Sequence, residues 1–86
     1  MTSSGAQVTV LIADDEPLAR AGLRDVIDSL EWLRCVGEAA NGSAAAEMIE
    51  RLKPELVLLD IQMPGRSGID VFRRLAHQPY VIFTTA

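Results

Sequence analysis

Three aspartates that follow apolar segments of the chain are the side chains best suited to chemistry. Asp14 and Asp15 come directly after the apolar run 8–13. Asp60 comes directly after a second, mainly apolar run, 55–59. If both runs are buried strands of one parallel sheet, the three carboxylates meet at its carboxyl edge, where open α/β sheets bind ligands.

This acidic group predicts metal binding and phosphoryl chemistry. Three carboxylates at one edge repel one another, and partial burial strengthens the repulsion. A divalent cation relieves it, and Mg²⁺ suits a site built from carboxylates, water and phosphate oxygens. An aspartate beside Mg²⁺ can also attack phosphorus and form an aspartyl phosphate. A nearby hydroxyl would stabilise the phosphoryl group, and Thr84 and Thr85 end the last apolar run.

Four apolar runs alternate with three amphipathic segments and predict the elements that position these groups. The runs that predict strands are residues 8–13, 34–40, 55–59 and 80–85. The predicted helices begin near Pro17, Ser43 and Ser67, with Ser43 as the expected N-cap of the second helix. The order βαβαβαβ predicts an α/β fold with a parallel sheet and helices on both of its faces.

Length and composition restrict the chain to one small domain. Its 86 residues carry a net charge of −4 without a cluster of Lys or Arg, which argues against a nucleic-acid surface. Its single cysteine, Cys35, cannot form an internal disulfide. The apolar runs are far shorter than the ~20 residues of a membrane span, so we expect a cytoplasmic protein without membrane contact. Residues 1–6 are small and polar and predict a disordered tail, which leaves 7–86 as the domain.

Four features, in order along the chain, resemble the response-regulator receiver domain of bacterial two-component signalling. They are Asp14-Asp15, Asp60, Met63-Pro64-Gly65 with Gly68, and Thr85-Ala86. The resemblance implies a flavodoxin-like, doubly wound parallel sheet with strand order 2-1-3-4. The sequence segments Asp-Asp-Glu-Pro-Leu-Ala-Arg and Phe-Thr-Thr-Ala are similar to those of receivers that precede a LytTR-type DNA-binding domain.

The resemblance also implies a role for each matching residue. Asp60 would be the phosphoacceptor, and Asp14, Asp15, Asp60 and the backbone carbonyl of Gln62 would bind Mg²⁺. Thr85 would hydrogen-bond the phosphoryl oxygens and couple phosphorylation to a change of shape. The implied protein is a regulator that at most catalyses its own phosphorylation and dephosphorylation. Its partners would be a histidine kinase and, through an output domain, DNA.

The chain departs from the family pattern after the fourth predicted strand. A receiver has five strands and five helices, so we expect a truncated βαβαβαβ version of the fold. The phosphate-pairing lysine of the fifth strand has no counterpart, because Lys53 is the only lysine and is predicted at the opposite end of the sheet. An exposed apolar edge over 80–85 then predicts a homodimer or a swapped oligomer.

Three other interpretations compete with phosphoryl acceptance. The chain could be a phosphorylation-incompetent module that acts through self-association. A hydrolase-type phosphotransferase would carry a second aspartate two residues after the nucleophile, where this chain has Gln62. A flavin or dinucleotide site lacks its Gly-rich loop after the first strand. His77 is interpreted as a solvated loop residue, and Arg20 as part of a solvated helix face.

Overall fold

The computed structural model describes residues 6–63, 73 and 75–84 of the chain. The elements within these ranges are β1 (Val8–Ala13), α1 (Pro17–Asp28), β2 (Leu33–Ala39), α2 (Gly42–Leu52), β3 (Leu56–Asp60) and β4 (Tyr80–Thr84). The four predicted strands and the first two predicted helices are therefore confirmed, and their stated boundaries shift by at most one residue. The third predicted helix and the disordered tail lie mostly on residues outside the described ranges.

The four strands form one parallel sheet in the order β2-β1-β3-β4. This order confirms the prediction of 2-1-3-4. Ala13 at the end of β1 pairs with Leu59 in β3, and Asp60 pairs with Thr84 at the end of β4. The register therefore brings the carboxyl ends of β1, β3 and β4 to the same edge of the sheet.

The two described helices cover opposite faces of the sheet. On one face, Val10 and Ile12 of β1 pack with Ile27 of α1. On the other, Leu11 of β1 packs with Ile49 of α2 in a larger buried cluster. All five side chains are at most 1% exposed. Alternate residues of β1 thus enter two different cores, as expected for a strand buried on both sides.

Three of the four helix ends carry a recognisable local feature. Pro17 occupies the first turn of α1, where its missing N–H needs no partner. The N-cap of α2 is Asn41, whose side-chain oxygen accepts a hydrogen bond from the N–H of Ala44 at 2.8 Å. The prediction of Ser43 as that N-cap is wrong, because Ser43 already lies inside the helix. Lys53 ends α2 in the left-handed conformation, with φ of 47°.

β4 is an edge strand of the sheet that the structure describes. It pairs with β3 on one side, and its large apolar side chains are exposed: Tyr80 by 83%, Ile82 by 53% and Phe83 by 47%. The predicted exposed apolar edge is therefore present over residues 80–84.

Candidate functional site

The three predicted aspartates lie together at the carboxyl edge of the sheet. One carboxylate oxygen from each of Asp14, Asp15 and Asp60 can be chosen so that all lie within 4.8 Å of one another. Asp14 and Asp60 are the buried charged residues of the described core, 7% and 6% exposed, and Asp15 is half-buried. The convergence follows from the sheet, because β1 and β3 are neighbours and end at the same level.

Backbone amides orient the two buried carboxylates. Asp14 accepts a hydrogen bond from the N–H of Glu16 at 2.9 Å. Asp60 accepts one from the N–H of Gln62, also at 2.9 Å. In each case the donor lies two residues after the aspartate, as in an Asx-turn. Each bond involves one carboxylate oxygen and fixes the direction in which the other oxygen points.

The chemistry of this donor set fits Mg²⁺. All three side chains offer hard carboxylate oxygens, which are the ligands that Mg²⁺ prefers. The two buried carboxylates need a positive counter-charge, since neither forms an ion pair with a described cationic side chain. Asp14, Asp15 and Asp60 would hold the ion, and the role of the Gln62 carbonyl stays a prediction.

The aspartates open into a cavity of about 560 Å³ between α1 and the sheet edge. Gln62 and Thr84 line it together with the three aspartates, and one side of α1, from Leu18 to Val26, forms its apolar wall. The hydroxyl oxygen of Thr84 is buried and has no hydrogen-bond partner among the described residues. Thr85 lies outside the described residues, so its predicted role as phosphoryl donor and switch is untested.

One residue beside the site was missed by reasoning from the sequence. Arg20 donates a hydrogen bond from Nη1 to the backbone carbonyl of Asp14 at 2.7 Å. Its side chain is only 20% exposed, so the interpretation of Arg20 as part of a solvated helix face is wrong. The available signal was its position in the first turn of the helix that follows the acidic pair, close to the end of β1.

His77 and Lys53 lie away from the acidic cavity. Nε2 of His77 is 2.7 Å from the carbonyl oxygen of Pro54, and the ring is half-buried. His77 lies in a loop, as interpreted, but its ring is half-buried and not solvated. Lys53 ends α2, and its Nζ donates to the carbonyl of Glu50 at 3.0 Å.

The sequence matches one protein-family model over nearly its whole length. The model is the response regulator receiver domain, and it covers residues 10–86. The chain belongs to this family. In the receiver domain, Asp14, Asp15 and Asp60 occupy the strand ends where the resemblance places the acidic site.

Curated relatives of this receiver domain are bacterial regulatory proteins. The transcriptional regulatory protein BtsR of Salmonella typhi is 43% identical over 81 residues, which are 92% of this chain and 34% of that protein. The positive alginate biosynthesis regulatory protein of Pseudomonas aeruginosa is 47% identical over 83 residues, which again cover 92% of this chain and 34% of that protein. The receiver domain described here thus spans about a third of the length of these relatives.

A solved receiver structure supports the same fold. The signal receiver domain of the putative response regulator NarL from Mycobacterium tuberculosis superposes with a TM-score of 0.87 at 35% sequence identity. The match covers 93% of this chain and 67% of that one. Neither described helix of the receiver domain has the length and hydropathy needed to cross a membrane.

Proposed function

We propose that Asp60 accepts a phosphoryl group from a histidine kinase in the presence of Mg²⁺. The observation that carries the proposal is the convergence of three carboxylates within 4.8 Å at the ends of two neighbouring strands. Two of the three are buried, and they open into a cavity large enough for a phosphoryl group. Mg²⁺, when bound, would neutralise the negative charge of the carboxylates and of the entering phosphate.

Each residue of the site has a different role in the proposed phosphoryl transfer. The N–H of Gln62 holds Oδ1 of Asp60, so Oδ2 is the oxygen that attacks phosphorus. A bond forms between Oδ2 and phosphorus while the bond from phosphorus to the donor's imidazole nitrogen breaks, and its electron pair leaves with the imidazole. Asp14, oriented by the N–H of Glu16, and Asp15 would hold the metal beside this oxygen.

The test is intact-mass analysis after incubation with acetyl phosphate and Mg²⁺. We expect one phosphoryl adduct on the wild-type chain, and none when Mg²⁺ is chelated or when Asp60→Asn replaces the nucleophile. Circular dichroism of both proteins verifies that they are folded. A folded wild-type chain without an adduct would contradict the proposal, as would an adduct that persists in Asp60→Asn.

The receiver would act on transcription through another part of a longer protein. A relative named as a transcriptional regulatory protein, BtsR of Salmonella typhi, and the chain's span of about a third of its length support this proposal. The segments Asp-Asp-Glu-Pro-Leu-Ala-Arg and Phe-Thr-Thr-Ala of this chain are similar to receivers that precede a LytTR-type domain. This similarity favours an output domain of the LytTR type. DNA contact would then belong to that domain, and the receiver would work in the cytoplasm. We expect no catalytic activity beyond its own phosphorylation and dephosphorylation.

A second candidate function is self-association, which the exposed edge strand favours. β4 pairs with β3 alone among the described strands, and Tyr80, Ile82 and Phe83 are exposed. Such an edge is a template for pairing with the same strand of a second copy. We therefore propose a homodimer or swapped oligomer through residues 80–85.

Sedimentation velocity at micromolar concentration tests this candidate. We expect a dimer in the wild-type chain and a monomer in Ile82→Lys, because a charge on the edge opposes pairing. The matched control is Val26→Lys, which adds the same charge at an exposed apolar residue of α1. A dimer that forms equally with and without Mg²⁺ favours association independent of phosphorylation. A monodisperse wild-type monomer would exclude the proposed dimer.

A further inference from the structure

Three separate hydrogen bonds fix Asp14. Its backbone N–H donates to the carbonyl of Ala39, at the end of β2, at 3.0 Å. Its carboxylate accepts from the N–H of Glu16 at 2.9 Å. Its carbonyl accepts from Nη1 of Arg20 at 2.7 Å. The third bond joins a charged side chain to the backbone of an acidic residue, and the proposed metal chemistry does not account for it.

The carbonyl that Arg20 binds belongs to the peptide group between Asp14 and Asp15. A peptide group is planar, so its orientation fixes the directions in which the chain enters Asp15 and leaves Asp14. Rotation of this group would therefore displace two of the three carboxylates at once. A hydrogen bond from an ionised donor is shorter and stronger than one between neutral groups, which suits it to hold the plane in place.

Arg20 is itself held by the neighbouring strand. Its Nε lies 3.6 Å from Oε1 of Glu38 in β2, and the two side chains are 20% and 32% exposed. Arg20 thus connects the first turn of α1, the end of β1 and the end of β2. Long side chains with two anchors have less freedom than solvated ones, so the guanidinium stays beside the Asp14 carbonyl.

We infer that Arg20 is a positioning residue for the metal site, which sets the geometry of Asp14 and Asp15 without touching the ion. The inference rests on the proposed Mg²⁺ site. The contacts that orient metal ligands are worth about 10- to 100-fold in metal affinity in other proteins. Arg20 acts in the same way, through the backbone that carries two of the ligands.

Replacing Arg20 removes both a positive charge and a hydrogen bond, and the two losses should change the Mg²⁺ affinity in opposite directions. Arg20→Met removes a positive charge near the site, and by Coulomb's law alone this should strengthen Mg²⁺ binding. Loss of the hydrogen bond to the Asp14 carbonyl should weaken it. The sign of the change therefore separates a positioning role from a purely electrostatic one.

Arg24 provides a matched control on the same helix. Its Nη1 donates to Oε2 of Glu38 at 2.9 Å, and its Nε lies 3.4 Å from Asp28. It makes no recorded contact with Asp14 among the described residues. Arg24→Met therefore removes the same charge and a bond to the same glutamate, but leaves the metal-site backbone as it is.

The experiment measures Mg²⁺ affinity by isothermal titration calorimetry and the unfolding temperature in EDTA. We expect Arg20→Met to weaken Mg²⁺ binding about tenfold, Arg20→Lys to recover part of the loss, and Arg24→Met to stay within about twofold of wild type. The unfolding temperatures in EDTA show whether both variants fold, and Arg20→Met should unfold at the lower temperature, because it loses the bond to the Asp14 carbonyl as well as the ion pair with Glu38. Glu38→Gln, which loosens the anchor of Arg20, should produce a smaller loss of affinity.

Three results would overturn the inference. Arg20→Met could bind Mg²⁺ as tightly as wild type or more tightly. Arg24→Met could weaken binding as much as Arg20→Met, which would assign the effect to the ion pairs with Glu38. A folded wild-type chain that binds no Mg²⁺ would contradict the proposed function, and the inference with it, before any substitution is made. If Arg20→Met fails to fold, Arg20→Lys and Glu38→Gln decide by the same criteria.

Discussion

Removing the charge of Asp60 should stabilise the metal-free protein while it abolishes the proposed chemistry. Asn has nearly the shape of Asp and keeps the side-chain oxygen that accepts from the N–H of Gln62. Asp60→Asn therefore removes one negative charge and little else. In the folded chain this charge faces Asp14 and Asp15, whose oxygens lie within 4.8 Å. The unfolded chain separates them, so the repulsion opposes folding only when the metal is absent.

The distance between the carboxylate oxygens determines how much Asp60→Asn changes the free energy of unfolding. Two unit charges 4.8 Å apart repel by about 3.5 kcal/mol at an effective dielectric constant of ~20, and by about 0.9 kcal/mol at ~80. The site is open to solvent on one side, which favours the lower half of that range. We expect Asp60→Asn to raise the free energy of unfolding by about 1–2 kcal/mol in EDTA.

Mg²⁺ should reverse the order of stability. A ligand at 100 times its dissociation constant stabilises the folded state by about 2.7 kcal/mol. Wild type gains this, whereas Asp60→Asn has lost one of three carboxylates and gains less. Urea unfolding followed by circular dichroism, in EDTA and in excess Mg²⁺, measures both effects.

A surface aspartate supplies the control for that experiment. Asp25 is exposed on α1 and lies outside the acidic cavity, so Asp25→Asn should change the free energy of unfolding by less than about 0.5 kcal/mol in either condition. The reasoning would be refuted if Asp60→Asn were less stable than wild type in EDTA, or if Mg²⁺ stabilised both proteins equally.

Three further substitutions test individual contacts by their effect on stability. Glu50→Gln should lower the unfolding temperature at pH 7, because hydrogen bonds from the backbone N–H groups of His77 and Ala76 lower the pKa of Glu50. Since that pKa is lowered on folding, the stabilisation is complete above the ordinary value of 4.5 and is lost as the pH falls from there through the lowered value of the folded chain. Gly37→Ala should lower the free energy of unfolding by about 1 kcal/mol in urea, because a Cβ there would lie 3.1 Å from Leu11 and 3.2 Å from Leu52, and Leu11 is fully buried with little room to move. Thr84→Val should stabilise by about 1 kcal/mol in the same assay, because the buried hydroxyl has no hydrogen-bond partner within residues 6–63, 73 and 75–84.

For each of these three substitutions, one result would contradict the physical reason given for the prediction. For Glu50→Gln, a difference from wild type that does not shrink as the pH is lowered below 4.5 would exclude the carboxylate as its cause. Gly22→Ala serves as the control for Gly37→Ala, because a Cβ at Gly22 meets nothing within 4 Å and Ala favours a helix by about 0.8–1 kcal/mol. The two substitutions should therefore have opposite signs. A destabilised Thr84→Val would indicate that its hydroxyl has a polar partner after all.

Much of the fold and the centre of the site could be predicted from the sequence. The runs 8–13 and 55–59 are continuous apolar segments, which a strand buried on both faces requires, and their alternation with helices implies a parallel sheet. In such a sheet all strands end at the same edge. Asp14, Asp15 and Asp60 could therefore be placed together from their positions at strand ends, without knowledge of any side-chain contact.

Local signals that compete within one segment were less informative. Asn41 and Ser43 are both good N-cap residues and lie two positions apart, so the propensities did not separate them. The exact start of α2 is decided by the path of the chain leaving β2, which places the side-chain oxygen of Asn41 on the N–H of Ala44. Helix propensity carries no information about that path.

The sequence by itself determined which groups could do chemistry and at which edge of the sheet they lie. Only the tertiary structure decided what holds them there. Arg20 binds the carbonyl of Asp14 and lies beside Glu38, 18 positions further along the chain, and His77 contacts the carbonyl of Pro54, 23 positions away. Side chains with several rotatable bonds take their partners from whatever segments the fold brings near. The positions of the strand ends can be predicted from the alternation of apolar strands and helices. The partners of these side chains are decided only by the packing of segments that lie far apart in the sequence.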